Sequence, residues 1–383
     1  MFQKNSIFAL TILTGTIIGA GIFAIPYVVS KSGIIPGIFY LLLLGFVVLL
    51  IHLFFGEIVL RTKEKHRLPG FAQKYLGNWG KSLATFSDFF GTTGALLAYI
   101  IIGGDFLRMI LLLFFPVLSE LPFLYFNLFF WAILSFFIFL GIKLIARIQF
   151  LMNMALFLVI FLIFIFALPE INFQNFVLIN PNYFFLPYGV ILFSLFGWSA
   201  IPEMREILES QKEKKNLKKI IITASVIVFS LYSLFFLAVV GVSGGKTSPE
   251  AFQGLLPFLG PQIIILGTLF GFLAIATSFL ILGNYLKNVL IYDFKISKYL
   301  SILLACGLPL ILFLLGFRDF IGVIGFIGTI VGAISGIIII LIFKKAKSLG
   351  DRQPEYDLKI PLFLLYFLII ILVLGTLFQL MMK

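Results

Sequence analysis

The sequence predicts an all-α integral membrane protein of eleven transmembrane helices. Ten of them form a five-plus-five inverted repeat in which helices 1 and 6 are broken. Three observations carry this reading. The chain of 383 residues is 61% hydrophobic and only 11% charged, against about 25% charged in soluble domains. Its lysines and arginines gather in alternate connections between apolar runs. One hexamer pattern, G-x-x-A-I-P, occurs twice, each time inside a long apolar run.

A membrane span needs about 20 mostly apolar residues. Eleven runs qualify: 6–30, 34–60, 82–115, 122–141, 145–168, 184–207, 218–241, 262–290, 299–316, 320–343 and 361–381. The first follows a single lysine and contains glycine and proline, so it reads as an uncleaved helix rather than a leader. Residues 1–168 make the first repeat, 184–343 the second, and 361–383 an additional helix.

Orientation follows from basic residues. One side collects Lys4, six residues in loop 61–81, Lys143 and Arg147, six between Arg205 and Lys219, Lys287, Lys295 and Lys298, and five between Lys344 and Lys359. The other side has Lys31, Arg108, Lys246, Arg318 and Lys383. A split of 23 to 5 puts the first side in the cytoplasm. The expected protein is a multi-pass plasma-membrane protein with its N-terminus cytoplasmic and its C-terminus outside.

Span 1 carries G-T-I-I-G-A-G-I-F-A-I-P at 15–26, and span 6 carries G-W-S-A-I-P at 197–202. Glycine weakens a helix interior by about 1 kcal/mol relative to alanine, and proline removes a donor. Within a bilayer a broken helix persists only where protein or a watery cavity takes up its freed backbone groups. The spans run in opposite directions, five apart, as an inverted repeat would place a central binding site. Small residues also permit simple close packing.

The net charge of +12 lies in short loops and reads as a topology signal rather than a nucleic-acid surface. Cys306 is single, which excludes an intrachain disulfide. Two histidines and one cysteine do not supply a metal site of the usual His/Cys type. No cofactor is expected beyond Na+ or H+ as a coupling ion. The expected partners are an amino acid substrate and the lipid bilayer, with oligomeric state left open.

Five stretches together resemble the amino acid/auxin permeases and the related aromatic amino acid permeases, of the amino acid–polyamine–organocation superfamily. They are the span 1 motif, E-I-V-L-R-T-K-E-K-H-R-L-P-G-F-A-Q-K-Y-L-G at 57–77, A-Y-I-I-I-G-G-D at 98–105, F-G-W-S-A-I-P-E-M at 196–204 and A-T-S-F-L at 276–280. The resemblance covers most of the chain. It implies the leucine-transporter type of fold and uptake of amino acids by secondary active transport.

A zwitterion needs donors for its carboxylate and acceptors for its ammonium. The N–H groups of Gly19, Ala20 and Gly21, at the start of an outer half-helix, suit the anion. The carbonyls of Phe196, Gly197 and Ser199 suit the ammonium. Phe196 and Trp198 either cover the ligand or pack. The Tyr99 hydroxyl either meets the carboxylate or bonds between helices. Ala274, Thr277 and Ser278 share one helical face. Their carbonyl and two hydroxyls, with carbonyls of Gly15 and Ile18, make five oxygens for a sodium ion. The resemblance points to the same five positions, while hydroxyls bonding back to their own helix is the alternative. Ile22 stands where the resemblance leads one to expect a side-chain ligand for a second sodium, so at most one is expected. No arginine occupies the outer half of span 1 as a gate.

Ionisable residues within spans attract functional attention. His52 reads as a packed ring or as a proton relay with Glu57. Asp105 and Arg108 are spaced to pair. Glu203, Arg205 and Glu206 form a cytoplasmic gate or a wetted helix end. Gly325, Gly328, Gly332 and Gly336 read as a packing stripe. Span 5 has no charge from Phe150 to Ala167, which favours sodium over a lysine standing in for it, with His52 keeping a proton route open. The leading function is a secondary transporter. A membrane enzyme acting on lipid-linked substrates would need clustered acids or a nucleophile at the surface, and a channel would not need midplane breaks.

Overall fold

The computed structural model describes residues 4–140, 145–208, 210–292 and 294–381, with the side chains of 145–153 and 292 set aside. Lys143 and Lys383 from the charge count, and the side chains of Arg147 and Phe150, lie outside the described residues. The regular structure of the described residues is all helical. Its α-helices are α1 Lys4–Ile17, α2 Gly21–Ser32, α3 Ile34–Arg61, α4 Leu68–Leu76, α5 Asn78–Phe114, α6 Phe123–Leu140, α7 Ile145–Ala167 and α8 Leu186–Ser194. They continue with α9 Ile201–Ile207, α10 Gln211–Lys214, α11 Leu217–Ser243, α12 Leu256–Tyr292, α13 Lys298–Leu314, α14 Phe320–Phe326, α15 Ala333–Leu349 and α16 Leu362–Met381.

Seven of the described helices are long and apolar enough to cross a membrane, and α1 with α2 forms an eighth, bent by 48°. Met154–Glu170 and Lys298–Leu314 are shorter apolar helices. The protein is therefore a multi-pass membrane protein. Expected spans 2–4, 7, 8, 10 and 11 fall on these long helices and span 1 on the bent pair, because long runs without charge leave the backbone no stable alternative to a helix in lipid.

Three features depart from expectation. Loop 61–81 contains a helix, α4, started by Pro69 and ended by Gly77 at φ +78°. Pro26 lies inside α2 instead of at the break. Between α14 and α15 the chain winds one π-helical turn, Ile327–Gly332. Such turns gather at functional sites. This one is braced by α16: the Thr376 hydroxyl donates to the Thr329 carbonyl at 3.0 Å, and the Thr329 hydroxyl lies 2.5 Å from the Gln379 amide oxygen.

The helix ends that carry the basic loops are tied by residues 350–360. Backbone N–H groups of Asp351 and Arg352 donate to the Arg61 carbonyl at 2.9 and 3.2 Å. The buried Glu57 carboxylate meets Arg61 at 2.7 Å, Lys347 at 2.7 Å and the Leu358 N–H at 2.7 Å. The Tyr356 hydroxyl reaches the Leu53 carbonyl at 2.6 Å, over Gly56, where a Cβ would lie 2.3 Å from it.

Candidate functional site

The break between α1 and α2 has a local cause. Thr11, Thr14 and Thr16 return their hydroxyls to carbonyls of Ile7, Leu10 and Ile12 at 2.7–3.0 Å, which loosens the last turns of α1. Gly19 and Gly21 then follow. The Gly19 N–H donates to the Ile17 carbonyl at 3.0 Å. Of the three expected free donors, Gly19 is thus already used. Ala20 and Gly21 have no backbone acceptor among the described residues. In the second interruption, Ser194 bonds back to Val190 at 2.6 Å and α8 stops. Gly197 opens a 3-10 turn whose Ala200 N–H takes the Gly197 carbonyl at 3.1 Å, and Pro202 begins α9.

The interruptions interlock. A Cβ on Gly21 would lie 2.2 Å from the Ser194 hydroxyl, and one on Gly197 would lie 2.4 Å from Cγ1 of Ile17. Tyr232 of α11, wholly buried, directs its hydroxyl to the carbonyls of Ser194 at 2.7 Å and Ile17 at 3.0 Å. A cavity opens beside them. It is lined by Gly19, Gly21, Tyr99, Phe196, Gly197, Trp198 and Ser199 among the expected residues. Ala20 is buried and does not line it.

Tyr99 of α5 stands at the break, where a Cβ on Gly19 would lie 2.8 Å from its hydroxyl. Ser278 of α12 does not line the cavity. Thr277 bonds back to the Leu273 and Ala274 carbonyls at 3.0 and 2.9 Å, half of the alternative weighed for this pair. Gly15 and Ile18 sit at the end of α1 and in the break, also outside the lining.

Away from the break the cavity reaches Thr16, Ser87, Asp88, Tyr285 and Ser335, toward the basic loops. The Tyr285 hydroxyl donates to Asp88 at 2.5 Å, and the Ser87 and Ser335 hydroxyls meet at 2.5 Å. Asp88 is an acid within an apolar run, a signal that was available but easily discounted so near the start of α5. Beyond the break, on the α2 side, four buried rings pack together. Phe23 packs edge-on to Phe106 at 5.1 Å and Phe235 at 6.1 Å, and against Phe252 at 5.6 Å.

The remaining ionisable candidates divide. His52 is 1% exposed and packs on Trp198 at 6.5 Å, with neither ring nitrogen hydrogen-bonded. Glu57 is committed to Arg61, Lys347 and Leu358, which leaves His52 no relay through it. Asp105 and Arg108 do not form an ion pair among the described residues; the guanidinium lies 4.2 Å over the Phe123 ring. Glu203 and Glu206 meet Arg67 at 3.6 and 3.2 Å, Lys65 meets Glu206 at 3.2 Å, and Arg205 donates to the Lys63 and Glu64 carbonyls. The end of α9 is therefore clamped to loop 61–67 and not simply wetted.

The chain matches the tryptophan/tyrosine permease family over residues 3–379. It belongs to that family. The expected resemblance therefore holds at the level of amino acid permeases. The tyrosine-specific transport system 1 of Haemophilus influenzae is 26% identical over 90% of this chain and 88% of its own length. Glutamine transporter 2 of Aliivibrio fischeri is 25% identical over 83% of each. The solved structure of MhsT in complex with L-phenylalanine superposes with a TM-score of 0.70 at 14% identity, covering 99% of this chain and 98% of that one. MhsT shows that the fold is of the leucine-transporter type. The family and these relatives are transporters, which sets aside the enzyme reading.

Proposed function

We propose that this permease is a secondary active transporter that takes up amino acids across the plasma membrane by alternating access. The observation that carries the reading is the interlock of the two interrupted helices around one cavity, whose lining includes Gly21, with no backbone acceptor for its N–H, and the Tyr99 hydroxyl beside Gly19. A zwitterion is the ligand such a set fits: N–H groups at the start of α2 for its carboxylate, carbonyls near Phe196 and Ser199 for its ammonium. The names of the two curated relatives, and the phenylalanine held by MhsT, support an amino acid as cargo.

The same reading takes α1–α2 and α8–α9 as spans 1 and 6 of eleven, with repeats at 1–168 and 184–343 and an additional helix over 361–383. The basic loops face the cytoplasm, so the described conformation is closed outside by Phe23, Phe106, Phe235 and Phe252. The clamp of Lys65, Arg67 and Arg205 on the end of α9 then serves as the inner gate. Sodium is the favoured driving ion, with Gly15, Ile18, Ala274, Thr277 and Ser278 as its oxygens, and protons are the alternative. The deciding experiment is accumulation of labelled tyrosine, phenylalanine and glutamine in proteoliposomes under imposed sodium or pH gradients. Gradient-driven accumulation of any of them supports the proposal. Failure of folded protein to move all three under either gradient sinks it.

A further inference from the structure

The π-turn of span 10 gives the substrate cavity a feature that its lining residues do not reveal. Gly332 closes that turn, and it faces Phe196 in the interruption between α8 and α9. A Cβ at position 332 would lie 2.0 Å from Cζ of Phe196, 2.6 Å from Cε1 and 3.2 Å from Cε2. The ring tip therefore rests against the bare α-carbon. Phe196 also lines the cavity and packs on Trp198 at 4.4 Å.

The neighbouring small residues are spent differently. Gly91 receives Val331 and Gly94 receives Ile327, each at under 3 Å from an added Cβ. Gly328 meets the Gly189 carbonyl, and Gly336 meets Leu372. Those contacts are helix-to-helix packing, as a glycine stripe ordinarily makes. Gly91 and Val331 also line the cavity, but among these glycines Gly332 is the one that meets an aromatic ring of the lining, Phe196.

We propose that Gly332 is a specificity-determining residue. Its missing side chain lets the Phe196 ring withdraw from the cavity and leaves room for an aromatic amino acid side chain. This rests on the amino acid transport reading above, and what it adds is the residue that sets the room for the substrate side chain. Real Cβ contacts lie at about 3.4 Å or more. A methyl group at 332 would therefore force the ring away, toward the cavity that it lines. The space lost is what a substrate ring would fill. Phe193, Phe196 and Trp198 then present aromatic surfaces suited to stacked or edge-on ring contacts.

The test compares L-tyrosine and L-alanine uptake by reconstituted wild type, Gly332→Ala, Phe196→Leu and the double variant. Gly332→Ala should lower the tyrosine-to-alanine ratio of kcat/KM by about tenfold or more. Removing the displaced ring in the double variant should return that ratio to within about threefold of wild type, a coupling expected only of residues in contact. A folded Gly332→Ala protein whose ratio stays within about twofold of wild type overturns the proposal. So does a double variant no better than the single one.

If Gly332→Ala fails gel filtration, Phe196→Leu decides alone. It should raise L-tryptophan uptake relative to L-tyrosine by about threefold, and an unchanged ratio rejects the inference. Wild type that carries alanine but not tyrosine refutes the aromatic class while leaving amino acid transport intact. Wild type that carries neither, nor glutamine, refutes the transport reading itself.

Discussion

The Tyr232 hydroxyl lies 2.7 Å from the Ser194 carbonyl and reaches the Ile17 carbonyl as well, at 3.0 Å. Both carbonyls belong to last turns, the end of α8 and the end of α1, where helical partners run out. One phenol on α11 thus ties two interrupted helices together at the point where they leave off. Tyr232→Phe would leave the buried Ser194 carbonyl without a partner and the Ile17 carbonyl with the Gly19 N–H alone, at a cost of about 1–3 kcal/mol. The variant should melt earlier and transport more slowly while keeping its order of preference among amino acids. Unchanged melting and turnover would show that the tie contributes nothing.

Gly21 and Gly197 should accept no side chain. Their added Cβ atoms would strike Ser194 and Ile17 at 2.2 and 2.4 Å, so even alanine is too large. Gly21→Val and Gly197→Val are expected to insert into membranes yet lose uptake by about a hundredfold, as misplacement of a binding constellation commonly costs. Wild-type binding by either variant, measured on monodisperse protein, would refute the central site.

Sodium coupling makes a separable claim. If Thr277 and Ser278 supply oxygens, uptake should rise with sodium at a Hill coefficient of about one. Thr277→Ala combined with Ser278→Ala should remove that dependence. Full uptake in sodium-free buffer, driven by a pH gradient alone, would reject the ion site and spare the amino acid site.

The strap over 350–360 should be sensitive to acid. Its hydrogen bond from Lys74, then the Lys63 N–H, holds Asp351 below the ordinary 3.8, and the Lys347 bond does the same for Asp357. Carboxylates lowered by folding lend stability that is complete above the ordinary value and is lost as pH falls through the lowered one. Amide exchange at Asp351 and Arg352, corrected for intrinsic rate, should therefore loosen below pH 3.8 and not between neutrality and that point. In Asp351→Asn it should already be loose at neutral pH. Protection that persists unchanged to about pH 2 would disprove the linkage.

Topology is checked from outside the cell. Lys65→Cys and Lys214→Cys, made in a background lacking Cys306, should resist impermeant thiol reagents in intact cells. Ready labelling would invert the orientation and with it the direction assigned to the cavity.

Much of the helical plan could be read from the chain, because spans 2–4, 7, 8, 10 and 11 are apolar runs with few charges to interrupt them. The two glycine-bearing stretches fall where α1 gives way to α2 and α8 to α9, and seven of the eight residues expected to hold the substrate line the cavity. What escaped depends on contacts between distant positions. Tyr232 sits in an ordinary apolar run, and nothing nearby in sequence says that its hydroxyl meets residues 38 and 215 positions away. His52 reads as a packed ring or a relay and proves to be a ring packed on Trp198 whose nitrogens have no hydrogen-bond partner, which no local pattern announces. The π-turn likewise leaves no mark in composition.

That π-turn carries a consequence for how the protein is made. Thr329 meets its side-chain partners Thr376 and Gln379 47 and 50 positions further along the chain. Until those positions have been synthesised, the Thr329 hydroxyl has the Gly325 carbonyl but not Gln379. The wall of the cavity at the π-turn is therefore completed only by the last helix of the chain to be made, α16.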